Sequence, residues 1–110
     1  MASGVDLTAL EQQTLLAVLR LHPRGYGVSI RDEIDQQTGR GISFGTIYAT
    51  LDRLSSKGYL TSKSGEPTAE RGGRRKLYFI ITARGQVALR RALQSLDALR
   101  AGTDFAGARS

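Results

Sequence analysis

Ser43-Phe44-Gly45-Thr46-Ile47-Tyr48-Ala49-Thr50-Leu51-Asp52-Arg53-Leu54-Ser55-Ser56-Lys57-Gly58 reads as a helix with two unlike faces. Phe44, Ile47, Leu51 and Leu54 recur at i, i+3, i+7 and i+10, which gathers them into one apolar stripe suited to a core. The opposite side collects Gly45, Thr46, Ala49, Asp52, Arg53 and Ser56. These residues are small, hydroxylated or charged, so the backbone can come close to a groove. Ser43 is suited to cap the first turn, and Gly58 after the cationic Lys57 is suited to stop the last.

Upstream, Gly39-Arg40-Gly41 is a short turn joining this helix to another over Tyr26 to Thr38. There Tyr26, Ile30 and Ile34 fall at i, i+4, i+8 and face inward, with Arg31, Asp32, Glu33 and Asp35 outward. Arg31 and Asp35, at i and i+4, are expected to form a surface pair. Further back, Thr8-Ala9-Leu10-Glu11 matches a capping box that opens a first helix running to Leu21. Its apolar residues wrap around more than one face, so it is expected to be buried on several sides, by its own domain or by a second subunit. His22-Pro23-Arg24-Gly25 separates the first two helices, with His22 as a turn residue. Two helices joined by a tight turn form a helix-turn-helix.

Downstream, Tyr59-Leu60-Thr61-Ser62-Lys63 and Leu77-Tyr78-Phe79-Ile80-Ile81 are rich in strand formers. Between them lies a polar loop, Ser64 to Lys76, which concentrates Arg71, Arg74, Arg75 and Lys76 at its returning end. The unit is a hairpin with a long cationic tip. Thr82 can cap a last helix, Ala83 to about Ala101, on which Leu89, Ala92, Leu96 and Leu99 repeat at the spacing of a short coiled-coil seam. Residues 1–6 and 102–110 are expected to be flexible tails.

The 110 residues carry 16 Lys plus Arg against 10 Asp plus Glu, a net charge of +6 that favours a polyanionic partner. There is no cysteine and one histidine, His22, so the chain alone can build neither a tetrahedral zinc site nor a Cys–His nucleophile. No apolar run approaches the roughly 20 residues of a membrane span, and no cationic start leads into an apolar run. A cytoplasmic protein with no cofactor is expected. Asp32, Glu33 and Asp35 do not converge with His22 in any motif, which argues against an enzyme.

The order of elements is mainly α with a small β-hairpin. It is that of a winged helix-turn-helix over residues 7–81, with a three-helix core and a two-stranded wing, followed by a C-terminal dimerisation helix over 82–101. Double-stranded DNA is the expected partner, with the third helix in a major groove and the wing cations on phosphates. The alternative is a winged-helix module for protein–protein or RNA contact; the basic tip suits RNA, but no aromatic-rich sheet offers bases a stacking surface. A membrane surface is a weaker match, because the cations of the last helix are dispersed.

Four blocks in sequence also resemble one family: Gly25-Tyr26-Gly27-Val28; Ser43-Phe44-Gly45-Thr46-Ile47-Tyr48 with Leu51, Leu54 and Gly58; Gly73-Arg74-Arg75-Lys76-Leu77-Tyr78; and Thr82-Ala83-Arg84-Gly85. Together they are similar to the PadR family of bacterial transcriptional regulators, over about residues 7 to 100, and closest to its short members with one C-terminal helix. The resemblance implies a homodimeric repressor on a palindromic operator. It makes Ser43, Gly45, Thr46 and Tyr48 the recognition-helix residues near DNA, and Arg74, Arg75 and Lys76 the wing contacts. Some relatives release DNA when a small aromatic or planar cationic compound stacks on an aromatic residue at the dimer interface. This chain has no Trp, and Phe105 is the one aromatic near the last helix. A place for a small-molecule inducer is an apolar cavity between the first and last helices of two subunits.

Several side chains keep two readings. Tyr48, at the flank of the helix, packs on the core with a wet hydroxyl or touches a phosphate. Arg53 points outward to a phosphate or to a surface carboxylate, Ala49 lies on the face where substitution would alter sequence preference, and Asp52 beside them would repel phosphate. Tyr26 and Tyr78 are expected in the core.

Overall fold

The computed structural model describes residues 7–67 and 75–103. Their order is α1 (Ala9–Leu21), α2 (Gly27–Thr38), α3 (Phe44–Ser56), β1 (Leu60–Pro67), β2 (Arg75–Ile81) and α4 (Ala83–Arg100). This is the winged helix-turn-helix order, mainly helical with one small hairpin.

Hydroxyl caps start three of the helices. In the capping box of α1, the Thr8 amide donates to Glu11 Oε1 at 2.9 Å and the Glu11 amide to Thr8 Oγ1 at 3.1 Å. At α3 the Thr46 amide donates to Ser43 Oγ, and at α4 the Gly85 amide donates to Thr82 Oγ1. Gly58, with φ of 82°, turns the chain from α3 toward β1. Tyr26 caps α2 without a side-chain bond to the first turn; its own amide donates to Ser29 Oγ.

The core sits where the three helices meet the base of the wing. Leu15 and Val18 of α1, Ile30 and Ile34 of α2, Ile47, Leu51 and Leu54 of α3, and Leu60, Phe79 and Ile81 of the hairpin are all buried. Each such side chain contributes about 1.5–3 kcal/mol by leaving water. The strands pair antiparallel from Leu60 opposite Ile81 to Pro67 opposite Arg75, with a register shift between Ser64 and Pro67. Gly25 adds a single bridge to the outer edge of β2, its carbonyl accepting from the Phe79 amide at 2.8 Å. Both strands run further than the sequence suggests: Ser64, Gly65, Glu66 and Pro67 belong to β1, and Arg75 and Lys76 to β2. This continuation carries no apolar residue except Pro67, so it leaves no apolar alternation to read.

Phe44 does not join the core stripe and is 45% exposed. It is the first residue of α3, and the stripe turns under only from Ile47. Thr50 takes a buried place instead, its hydroxyl donating to the Thr46 carbonyl. Arg31 does not pair with Asp35: it reaches Asp32 at 3.0 Å, and Asp35 accepts from the Gly41 amide at 2.7 Å. Asp35 therefore ties down the turn between α2 and α3.

The start of α4 is clamped. Thr82 Oγ1 donates to the Gly58 carbonyl at 2.7 Å, and the Thr82 amide donates to the Tyr59 carbonyl at 3.0 Å. Gly85 lies so close to the Tyr59 carbonyl that a Cβ there would overlap it. Leu89, expected in a seam between subunits, is 4% exposed and belongs to the core of its own domain, as does Ala88. Ala92 packs at the margin of that core, while Leu96 and Leu99 are exposed. Residues 1–6, 68–74 and 104–110 lie outside the described residues, and with them Arg71, Arg74, Phe105 and most of the expected tails.

Candidate nucleic-acid interface

The outer face of α3 is built from Ser43, Gly45, Thr46, Tyr48, Ala49, Asp52 and Arg53, all exposed. Ser43 and Thr46 are also bonded to each other, the Ser43 hydroxyl donating to Thr46 Oγ1 at 2.9 Å. Helix capping thus fixes both hydroxyls at the N-terminal end of α3.

Tyr48 is 46% exposed, and its ring tip rests on Gly27 at the start of α2, where a Cβ would overlap it. The tyrosine thus packs by its ring while its hydroxyl end sits beside the first turn of α2. Next to Gly27, Tyr26 meets Tyr78 edge to face with ring centroids 6.1 Å apart. Lys76 Nζ lies 4.3 Å from the Tyr26 ring centre, and the Arg24 guanidinium 5.6 Å from that of Tyr78. Tyr26 and Tyr78 are therefore only half-buried, against the expectation of core positions. Their rings carry two cations and join the start of α2 to the base of the wing. Of the three expected wing contacts, Lys76 is the one whose side chain is described; Arg75 is known as the first residue of β2, and Arg74 lies outside the described residues.

Arg53 answers to a carboxylate, but a buried one from another helix. Its Nε donates to Glu11 Oε2 at 3.0 Å, and Lys57 Nζ reaches the same oxygen at 3.2 Å. Glu11 is 1% exposed. Burial alone would push its carboxyl up, but the Thr8 amide, Arg53 and Lys57 together hold it below the ordinary glutamate range. Glu11 reads in sequence as a cap and nothing more. A signal was there all the same: Arg53 on α3 and Lys57 at its C-cap stand one turn apart, like charges whose repulsion an anion between them would relieve.

An open groove of about 600 Å³ runs between Leu7 and Gln12 and the outer part of α4, at Arg91, Ala92, Ser95, Leu96 and Leu99. It carries the three seam residues that the core has left available. No described helix is long and apolar enough to cross a membrane.

The sequence profile of the transcriptional regulator PadR-like family matches residues 15–91. No curated protein matches the chain. Among solved structures, a transcriptional regulator from Clostridium thermocellum superposes with a TM-score of 0.68 at 22% identity, over 83% of this chain and 85% of that one. A PadR-like transcriptional regulator from Bacillus cereus gives 0.62 at 22% identity, over 86% and 93%. A PadR family transcriptional regulator from Eggerthella lenta gives 0.65 at 25% identity, over 84% and 82%.

Proposed function

The chain belongs to the PadR-like family of transcriptional regulators, and from that premise we propose that it is a cytoplasmic, sequence-specific DNA-binding repressor acting as a homodimer on a palindromic operator. The observation that carries this is the unbroken run from the thin face of α3, through Tyr48 and Gly27, to Tyr26, Tyr78, Lys76 and Arg24 at the base of the wing. A helix face of low bulk beside a band of cations is what a duplex requires: base edges for the first, phosphates for the second. Gly45, Thr46 and Ala49 approach the bases; Tyr48, Arg53 and the wing cations Arg74, Arg75 and Lys76 meet the backbone.

Dimerisation is assigned to α4. A second copy's α4 laid into the groove would cover Leu96 and Leu99, and the space left between α1 and the two α4 helices is where a small apolar inducer would act. Leu89 takes no part in that seam.

Binding of the purified chain to a labelled duplex from upstream of its own gene, set against a scrambled duplex at low and physiological salt, tests the reading. Saturable binding to the first duplex alone at physiological salt is expected. Equal, weak and salt-sensitive binding to both would leave only non-specific attraction and would refute it.

A further inference from the structure

We propose that Glu11 is a positioning residue for DNA binding: from α1 it holds Arg53 of the recognition helix in the geometry that a DNA phosphate accepts. The proposal rests on the DNA-binding reading above and adds to it a buried residue of α1 that lies behind the groove-facing surface.

Glu11 is the one buried carboxylate among the described residues. A capping box uses a single carboxylate oxygen, and here Oε1 alone does that work, accepting from the Thr8 amide. Oε2 is given over to α3, taking Arg53 Nε and Lys57 Nζ together. A carboxylate needed only as a cap could stand in water; burying it is worthwhile where its second oxygen has a fixed task.

Arg53 is held by one edge. Its side chain keeps 49% of its exposure. The further contact of its guanidinium is a long one, from Nη2 to Thr50 Oγ1 at 3.5 Å. The terminal nitrogens thus remain available to an oxygen from outside while Nε is anchored. A guanidinium already ordered on folding loses less freedom when it meets a phosphate than one waving in solvent. Lys57 shares the oxygen but is the more enclosed of the two cations, so it secures the roll of α3 against α1.

The test is a double-mutant cycle on the full chain, using the upstream duplex of the binding experiment. Glu11→Gln is expected to weaken binding about two- to tenfold in the wild-type background. In the Arg53→Ala background it should change affinity by less than about twofold. Loss of equal size in both backgrounds, no loss in either, or full affinity for Arg53→Ala alone would overturn the proposal. If Glu11→Gln fails to fold by circular dichroism, Arg53→Lys takes its place, since it keeps the charge and removes the Nε edge. It should then lose as much affinity as Glu11→Gln was expected to, while Lys57→Ala stays within about twofold of wild type; the reverse order would overturn the proposal. A wild-type chain that binds no duplex refutes the DNA reading itself, before any variant is made, and the positioning role falls with it.

Discussion

The guanidinium of Arg31 lies 4.6 Å over the ring of Phe44, and its Nε donates to the Ile42 carbonyl at 2.7 Å. One side chain of α2 therefore supports both the turn before α3 and its first residue. Arg31→Ala is expected to lower the free energy of unfolding by about 1–2 kcal/mol, the sum of an exposed cation–π contact and the hydrogen bond to Ile42, with little added by the exposed pair to Asp32. Arg31→Lys should recover only the first part, because an ammonium over the ring cannot also fill the place of Nε. Urea denaturation of the two variants separates the contributions.

Two glycines make close contacts with opposite consequences. At Gly27 the added methyl meets the far end of Tyr48, an exposed side chain that can swing aside. Gly27→Ala should therefore change stability by less than about 0.5 kcal/mol, yet weaken DNA binding by displacing the tyrosine hydroxyl. At Gly85 the methyl meets the backbone carbonyl of Tyr59, which is held in place by the Thr82 amide. Gly85→Ala should cost about 1–3 kcal/mol. Thermal melts beside duplex titrations distinguish the two.

Acid should unfold the protein partly through Glu11. Its carboxyl titrates in the folded chain below the ordinary value of 4.5 that it regains on unfolding. The unfolded state therefore takes up the proton first as pH falls. The stabilisation is fully present above 4.5 and is lost as pH drops through the lower folded value. Stability measured against pH in that acid window should fall more steeply for wild type than for Glu11→Gln. Parallel curves would show that Glu11 contributes nothing to acid sensitivity.

Wing and helix should fail in different ways. Replacing Arg74, Arg75 and Lys76 by Ala is expected to weaken binding to every duplex and to reduce the salt slope by up to about three, one for each phosphate left without its cation. Substitution of Thr46 or Ala49 should instead change the preference among duplexes and leave the slope unaltered. Titrations over a range of salt, with matched and mismatched duplexes, read both quantities.

Leu96 and Leu99 are 53% and 78% exposed, so replacing both by Asp should leave the fold stable to within about 0.5 kcal/mol. The same change would place charge in the seam proposed between subunits. Sedimentation should show a dimer for the wild type and a monomer for the variant. Leu89→Asp, in contrast, should unfold the domain, because that side chain has no water to reach.

The caps and the core were legible because they are local: Thr8, Ser43 and Thr82 each sit three residues before the amide they bind. Spacing also sufficed for Ile30, Ile34, Ile47, Leu51 and Leu54, whose helical period matches their burial. It failed for Phe44, which begins a helix and has no preceding turn to cover it. It failed for Leu89 because an apolar repeat on α4 cannot tell its own domain from a second copy. Glu11 was half legible: the cap bond spans three residues, but the bonds to Arg53 and Lys57 span 42 and 46 and leave no local trace. Residue type points to the core for Tyr26 and Tyr78, whereas both rings are only half-buried, each with a cation beside it.

The clamp of Thr82 onto Gly58 and Tyr59 gives the molecule a fixed span. Because α4 leaves the domain from a point tied to the end of α3, it works as the arm of a caliper rather than as a tether. In a pair joined through these arms, the two reading heads cannot slide apart to suit a longer site. Moving one half-site by about five base pairs turns it to the opposite side of the duplex. Such an arm could not follow it there, so in the proposed dimer the spacing between half-sites would be read alongside their bases.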